Sequence, residues 1–246
     1  MKSYSDLFNI RGSSYDFAMR LFPHARDEEF LQMINTVKIK NNWTVADIFS
    51  GGGYLKKYLS PNIKLIEYEP CVSFHKKNLK PDSNINFLLP FENKSVDASF
   101  SLAGLHHIEN KIEIFNEVFR ICKDSANFVI SDVVLGSNVS KFLDNFVGSN
   151  NSTGHEGAYL SDQTLRELEL AGWTVMNSSI KKFFWKFSGL FDLVFFAKKL
   201  FDINQASFDE IEKRLKKELG VEYLDDGKIG LHWELMTIQA KKIIYK

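Results

Sequence analysis

The sequence predicts an α/β fold built on a doubly wound, largely parallel sheet. Between residues 43 and 135, short apolar segments alternate with segments whose apolar residues recur at helical spacing. A glycine-rich turn at residues 50–53 follows the first strand, as at the start of a βαβ nucleotide-binding unit. The next strand ends in Glu67, whose carboxylate can accept hydrogen bonds from ribose hydroxyls. We therefore expect an adenosine-type ligand at the carboxyl ends of the strands.

Composition limits the kinds of partner. The 246 residues include 31 Lys plus Arg and 31 Asp plus Glu, so no overall field favours nucleic acid or an anionic membrane. Two cysteines, Cys71 and Cys122, are too few for a disulfide framework or a zinc site of their own. The most apolar stretch, residues 189–201, falls short of the ~20 residues of a membrane span. With no charged-then-apolar leader, a cytoplasmic protein without membrane insertion is expected.

The leader at residues 1–42 is predicted to be helical, with start signals at Pro23 and Asp27. Two interpretations remain open. The leader is either a strap that covers the edge of the sheet or a lid that closes over the ligand. In the second interpretation, Tyr15 or Arg26 reaches the charged end of the ligand.

The other elements follow in order. Residues 45–49 form the first strand, and a helix comes after the glycine turn because apolar residues at 54, 55, 58 and 59 have helical spacing. In the helix begun near Asn110, an apolar face is expected to include Cys122. The remaining predicted segments are strands at 63–66, 85–88, 98–102, 127–134 and 173–182, a helix at 71–79, helices capped by Ser161 and Ser207, and a final strand at 231–244 that pairs antiparallel with 173–182.

A family resemblance lies in the middle of the chain. Residues 89–91 read Leu-Pro-Phe, Asp97 precedes a strand, residues 105–107 read Leu-His-His, and a later strand ends at Asp132. This run resembles class I S-adenosylmethionine-dependent methyltransferases over residues 43–135. It is most similar to their small-molecule branch, which includes ubiquinone- and menaquinone-biosynthesis enzymes. The matching positions upstream are Asp47, Gly51, Gly53 and Glu67.

The resemblance implies a Rossmann-like seven-stranded sheet of strand order 3-2-1-4-5-7-6, with the last strand antiparallel. It also implies S-adenosylmethionine as the cofactor. One domain over 1–246 would then consist of an N-terminal helical lid (1–42), a cofactor-binding core (43–182), an aromatic-rich helical cap insertion (183–220) and a final strand (221–246). The expected cofactor-binding residues are Tyr15, Asp47, Ser50, Gly51, Gly53, Glu67, Tyr68, Leu88 and Ala103.

Two positions depart from the family pattern. Phe49 stands where the family has its first glycine, and no acid precedes Leu89 to contact the adenine amino group. Adenine would then be held by backbone groups and by apolar contact near Leu88. Both departures favour the alternative function, a methyltransferase-like protein that binds the cofactor but transfers no methyl group or uses the sulfonium for different chemistry.

Three histidines are the candidate catalytic residues. His106 and His107 follow a strand end, where they either pack structurally or face the methyl donor, and His155 lies in a loop-like segment at 148–159. We predict His155 or His107 as a general base, because histidine titrates near neutral pH. Asp132 either orients the substrate or steadies a neighbouring helix. The six histidines and two cysteines show no metal-ligand spacing on a common element, so no metal is expected.

The aromatic run at residues 183–201 is either core or part of a cap over an apolar or aromatic substrate, and we favour the cap. The function predicted is methyl transfer from S-adenosylmethionine to a small apolar or aromatic metabolite by in-line displacement. A protein or RNA methyltransferase is less favoured, because neither a basic surface nor an added module is evident. The sequence thus predicts a small-molecule substrate and specifies no oligomeric state.

Overall fold

A seven-stranded mixed β-sheet forms the centre of the structure, a computed structural model that describes residues 4–74 and 88–244. The strands are β1 (Thr44–Ile48), β2 (Lys64–Tyr68), β3 (Val96–Leu102), β4 (Cys122–Asp132), β5 (Thr174–Phe187), β6 (Val221–Tyr223) and β7 (Ile229–Lys241). They lie in the order β2-β1-β3-β4-β7-β5, and β6 also pairs with β7. β1 to β4 run parallel, whereas β7 is antiparallel to β4 and β5.

This sheet confirms the predicted fold class. If the strand predicted at residues 85–88 is counted as the third, the described strands follow the predicted order, and the last strand is antiparallel as expected. Of that third strand, only Leu88 belongs to the described residues. Most of the helix predicted at 71–79 likewise lies outside them; its described start is a 3-10 turn, Val72–Phe74.

Helices cover both faces of the sheet. Neighbouring strand residues alternate between two buried clusters: Val45 and Val129 face one, and Ala46 and Phe128 face the other. A period of two with both sets buried is what a covered sheet requires. No helix in the described part of the chain is long and apolar enough to cross a membrane. The helices are α1 (Tyr4–Leu21), α2 (Asp27–Ile34), α3 (Ile112–Ile121), α4 (Asn138–Lys141), α5 (Gly148–Asn150), α6 (Asp162–Leu170), α7 (Leu190–Leu200) and α8 (Phe208–Arg214).

Two local predictions were wrong. The segment after the glycine turn is a five-residue 3-10 helix, Tyr54–Tyr58, rather than an α-helix. It begins after left-handed Gly53 and is soon followed by Pro61, so the chain has no length for further α-helical turns. Cys122 is the first residue of β4 rather than part of the helix face, although its thiol is buried as expected.

β5 extends five residues beyond the predicted end at residue 182. Its last residues continue to pair with β7, which places Phe183 opposite Trp233 and Trp185 opposite Leu231. Because side chains alternate along a strand, Phe183, Trp185 and Phe187 are buried, and the residues between them are less so. The first aromatics of the run at 183–201 therefore belong to the sheet, and α7 and α8 follow it. The predicted caps are present, since Ser161 and Ser207 accept hydrogen bonds from backbone N–H groups of α6 and α8.

Candidate active site

A strained glycine-rich turn follows β1. Phe49, Gly51 and Gly53 all have positive φ values, of 63°, 55° and 76°. The N–H groups of Phe49 and Ser50 both donate to the Tyr68 carbonyl oxygen, at 2.8 and 3.1 Å, which fixes the turn to the end of β2. Left-handed backbone disfavours a residue with a Cβ, so Phe49 carries strain where the turn leaves the strand.

Two acidic residues occupy paired positions on neighbouring strands beside this turn. Asp47 of β1 pairs in register with Glu67 of β2. The Glu67 carboxylate lies against Gly53, where an added Cβ would be 2.6 Å from Oε1. Burial raises the pKa of Asp47 well above its usual range, and the negative charges of Glu67 and Glu69 add to the rise. An acid pair of this kind can accept hydrogen bonds from the hydroxyls or ammonium group of a ligand.

Glu69 holds the turn and α1 together, a role that the sequence did not indicate. Its carboxylate accepts hydrogen bonds from the Gly51 N–H and the Tyr4 hydroxyl, each at 2.8 Å, and from the Cys71 N–H at 2.9 Å. Burial raises the pKa of Glu69, although these hydrogen bonds oppose the shift. The only signal in the sequence was an acid placed directly before Pro70 at the end of a strand.

Two cavities adjoin at the carboxyl ends of β1 and β3. The turn cavity, of about 40 Å³, is lined by the glycine turn together with Asp47, and the acceptor cavity, of about 50 Å³, is lined by histidines and tryptophans. Phe8, Tyr15 and Arg26 line both of them, as does Ala103. Ala103 has a φ of 51°, so a second strained residue stands where the two cavities meet.

The structure brings most of the expected cofactor residues to the turn cavity. Tyr15, Asp47, Ser50, Gly51 and Ala103 line it. Gly53 and Glu67 lie beside each other at the turn, and Tyr68 contributes its carbonyl oxygen. Leu88 lines neither cavity and is 66% exposed. Their contacts with a cofactor stay a prediction.

Three histidines meet at the acceptor cavity. His106 and His107 lie in a 3-10 turn after β3, and His155 comes from the loop after α5, a helix in the segment predicted as loop. Ring nitrogens of the three all lie within 4.8 Å of one another. The loop is fastened to the turn, since the Ala158 N–H donates to the His106 carbonyl oxygen at 2.7 Å.

Two of these imidazoles are oriented by aspartates, of which Asp132 is buried and Asp144 is partly exposed. His106 Nδ1 lies 2.6 Å from Asp132 Oδ1, and its backbone N–H donates to Asp132 Oδ2. His155 Nδ1 lies 3.1 Å from Asp144 Oδ1, which also accepts the Tyr159 hydroxyl. Asp132 therefore positions a histidine rather than a helix. Within residues 4–74 and 88–244, Nε2 of neither ring has a hydrogen-bond partner. Among the described residues, nothing bonds the buried Nδ1 of His107.

Burial keeps His107 and His155 uncharged at neutral pH. It lowers the pKa of His155 to about 4, with Asp144 opposing the shift, and it lowers the pKa of His107 well below its usual value, helped by the neighbouring histidines. Neutral imidazoles can accept a proton or ligate a transition metal. The expectation of no metal site rested on spacing along the chain, and the fold overrides that reasoning by bringing three imidazoles together from two segments.

The ion pair between Arg26 and Glu29 lies where the two cavities meet. The guanidinium of Arg26 donates to both carboxylate oxygens of Glu29 at 2.6 Å and also to the Tyr15 hydroxyl. Glu29 in turn accepts the Trp185 Nε1–H at 2.6 Å. Burial opposes the charge on Arg26, but its partners outweigh that effect and raise its pKa. Arg26 is thus already satisfied by protein groups.

Residues 47–130 match the profile of a methyltransferase domain family. The match spans 84 of the 246 residues, about a third of the chain. Together with the sheet order, this match supports a class I S-adenosylmethionine-dependent methyltransferase with S-adenosylmethionine as its cofactor. No curated protein sequence matches the chain.

Solved structures of low sequence identity share the methyltransferase's fold. One is phosphoethanolamine N-methyltransferase 2 of Haemonchus contortus, in complex with phosphomonomethylethanolamine and S-adenosylhomocysteine. It is 14% identical to this chain at a TM-score of 0.63, and the alignment covers 99% of this chain and 61% of the Haemonchus chain. A methyltransferase of Thermotoga maritima is 14% identical at 0.59, covering 96% and 99%. One of Aquifex aeolicus is 13% identical at 0.52, covering 93% and 98%.

Proposed function

We propose that the enzyme methylates a small acceptor held in the acceptor cavity, beside S-adenosylmethionine in the turn cavity. The observation that carries this proposal is the meeting of the two cavities at Ala103, with the glycine turn on one side and three histidines on the other. Methyl transfer from a sulfonium is an in-line displacement. The protein mainly has to align donor and acceptor, and such positioning can supply roughly 7–11 kcal/mol.

In this proposal the cofactor lies across the end of β1. Glu67 accepts the ribose hydroxyls, and Asp47 accepts the α-ammonium group beside Ser50, Gly51 and Gly53. Ala103 and Tyr15 border the methionine end, Tyr68 holds the turn through its carbonyl oxygen, and Leu88 contacts adenine. A buried carboxyl with a raised pKa gains a compensating positive charge when an ammonium group binds beside it.

A flat apolar body is the acceptor that the cavity fits best. The Trp185 and Trp233 rings stack with centroids 4.0 Å apart, and Phe201 stacks on Trp233 at 6.0 Å. All three line the acceptor cavity, which supports an aromatic or apolar metabolite. Of the eight aromatics at 183–201, only Trp185 and Phe201 do so, and Phe196 is fully buried in the core.

His155 is the proposed general base. Asp144 holds its Nδ1–H and leaves Nε2 to take the acceptor's proton as the methyl group is transferred. This proton transfer is worth roughly 10²–10⁴-fold in rate. His107 is the second candidate base, and His106, fixed by Asp132, positions the other two rings.

The first experiment separates enzyme from binding protein. Calorimetry with S-adenosylmethionine and S-adenosylhomocysteine should show binding that Glu67→Gln weakens, and failure of both to bind at millimolar concentration would refute the proposal. Radiolabelled methyl transfer to a panel of aromatic metabolites is then expected. Tight binding with no transfer would favour the alternative, a cofactor-binding protein without methyl transfer. A His155→Ala enzyme with wild-type turnover would exclude His155 as base.

A further inference from the structure

Arg11 of α1 carries a buried charge. Its residue is 4% exposed, and neither Nε nor Nη1 has a hydrogen-bond partner within residues 4–74 and 88–244. Its guanidinium forms no ion pair there either, and the carboxylate of Asp202 acts on it only from a distance. Arg26, equally buried, has the bidentate Glu29 partner that Arg11 lacks.

An unpaired buried guanidinium is costly to the folded state. Burial lowers the pKa of Arg11 to about 10, which still leaves it charged at neutral pH. Taking a charge out of water without a partner destabilises the folded protein unless a ligand supplies the counter-charge. Such a group at the wall of a cavity is therefore a sign of an anionic ligand.

Arg11 faces the acceptor cavity and not the turn cavity. It lines the former together with His107, His155 and Trp185, and it is absent from the lining of the latter. Its positive charge contributes to the lowered pKa of both His107 and His155, which places the guanidinium near the histidine cluster. Among the residues that the structure describes, the only ring over which it lies is that of Phe8, at 5.9 Å, and a ring face cannot neutralise a full charge.

We propose that Arg11 binds a carboxylate on the methyl acceptor, so that the substrate is a flat, aromatic or unsaturated carboxylic acid. This inference rests on the proposed function and names the substrate class for the same site. The planar guanidinium fork matches a carboxylate through two parallel hydrogen bonds. Trp185, Trp233 and Phe201 supply the wall for the flat body. The carboxylate is the recognition group, and the nucleophile lies near His155 and Ala103.

The test measures binding rather than turnover. With S-adenosylhomocysteine saturating, calorimetry compares benzoate and trans-cinnamate with their neutral isosteres, benzamide and cinnamamide. Wild type should bind each acid at least about tenfold more tightly than its amide, as charge-assisted hydrogen bonds require. Arg11→Gln should abolish that preference, and Arg11→Lys should restore part of it. Arg20→Gln, a half-exposed arginine of the same helix, is the matched control and should change nothing.

Three results would overturn the proposal. The first is equal binding of acids and amides, or no binding of either acid, by wild type. The second is a loss of S-adenosylhomocysteine affinity in Arg11→Gln, which would assign Arg11 to the cofactor's carboxylate. The third is a lower melting temperature of the ligand-free Arg11→Met protein, because a group that serves only a ligand should cost stability, and its removal should raise the melting temperature.

The proposed function fails separately. Acid binding that depends on Arg11, without methyl transfer to any acid, would refute methyl transfer and leave this site intact. Methyl transfer to neutral acceptors, with Arg11→Gln as active as wild type, would refute the carboxylate site at Arg11 and leave the proposed methyl transfer intact.

Discussion

At Phe49, backbone strain lowers the stability of the fold and side-chain packing raises it, and the two effects can be compared directly. Its left-handed backbone costs roughly 1–2 kcal/mol. Its ring is 5% exposed and packs at 4.7 Å from Tyr4, over Gly104, where a Cβ would lie 2.8 Å from that of Phe49. Removing a buried phenylalanine side chain typically costs about 3–5 kcal/mol, so packing outweighs strain.

Phe49→Gly should therefore lower the free energy of unfolding by about 2–3 kcal/mol, measured by urea denaturation. Phe49→Ala is the control that separates the two terms, because it loses the same ring but keeps a Cβ on left-handed backbone. It should be less stable than Phe49→Gly by about 1 kcal/mol. An alanine variant at least as stable as the glycine variant would show that the backbone is unstrained.

The neutral state of His155 makes stability depend on pH. Its pKa is about 4 in the folded state and near 6.5 when unfolded, so its contribution is complete above pH 6.5 and is lost as pH falls through that range. Relative to His155→Gln, wild type should lose about 2 kcal/mol of unfolding free energy between pH 7 and pH 5. The raised pKa of Asp47 makes stability increase as pH falls, but this effect is the same in both proteins. Parallel pH dependences would contradict a buried neutral His155.

Zinc should inhibit rather than activate. Under the proposed function, one of the three imidazoles accepts the substrate's proton. Zn²⁺ bound by the three rings would occupy the nitrogen that takes this proton. Added Zn²⁺ should inhibit methyl transfer reversibly, and chelator-treated enzyme should be fully active. His155→Ala should weaken zinc binding by at least about tenfold in calorimetry, whereas His24→Ala, an exposed histidine, should not. Activity lost to a chelator and restored by zinc would reverse the assignment.

At the scale of elements, chain spacing predicted what lies on one strand or turn. Asp47 and Glu67 are twenty residues apart because one βα unit separates neighbouring parallel strands, and they pair in register. His155 is 48 residues from His107, and only tertiary packing sets their distance. The sequence did not predict the extra length of β5 either, because its pairing with β7, rather than local propensity, maintains the strand through residue 187.

The loop that carries His155 depends on one buried lysine. Lys111 Nζ donates to the Ala158 carbonyl oxygen at 2.6 Å and to that of Ile108 at 2.8 Å. Lys111→Met preserves the stem but leaves both acceptors unbonded. We expect faster hydrogen exchange in the 151–159 loop and a higher KM for the acceptor, with S-adenosylhomocysteine affinity unchanged. Lys141→Met, at an exposed lysine of α4, is the control; equal effects of both variants would exclude this specific role.

At the scale of the whole molecule, α1 contributes residues to the walls of both cavities. Phe8 and Tyr15 line both, while Tyr4 lines the turn cavity and Arg11 the acceptor cavity. Sequence reasoning left strap and lid as alternatives for this leader, because a polar-aromatic helix suits either. Its contacts with both cavities favour the lid, whose motion would let ligands enter.

The lid interpretation predicts that loosening α1 accelerates cofactor release. Glu69→Gln weakens the charge-assisted hydrogen bonds from Tyr4 and Gly51, by about 1 kcal/mol in total. The dissociation rate of S-adenosylhomocysteine should rise about fivefold in stopped-flow measurements, and binding of that ligand should slow hydrogen exchange along α1 in wild type. Asp16→Asn, which alters α1 contacts with Arg20 and Tyr54, tests the opposite end of the helix. If exchange in α1 were unaffected by the ligand, the helix would be a fixed strap, since a lid must respond to what it encloses.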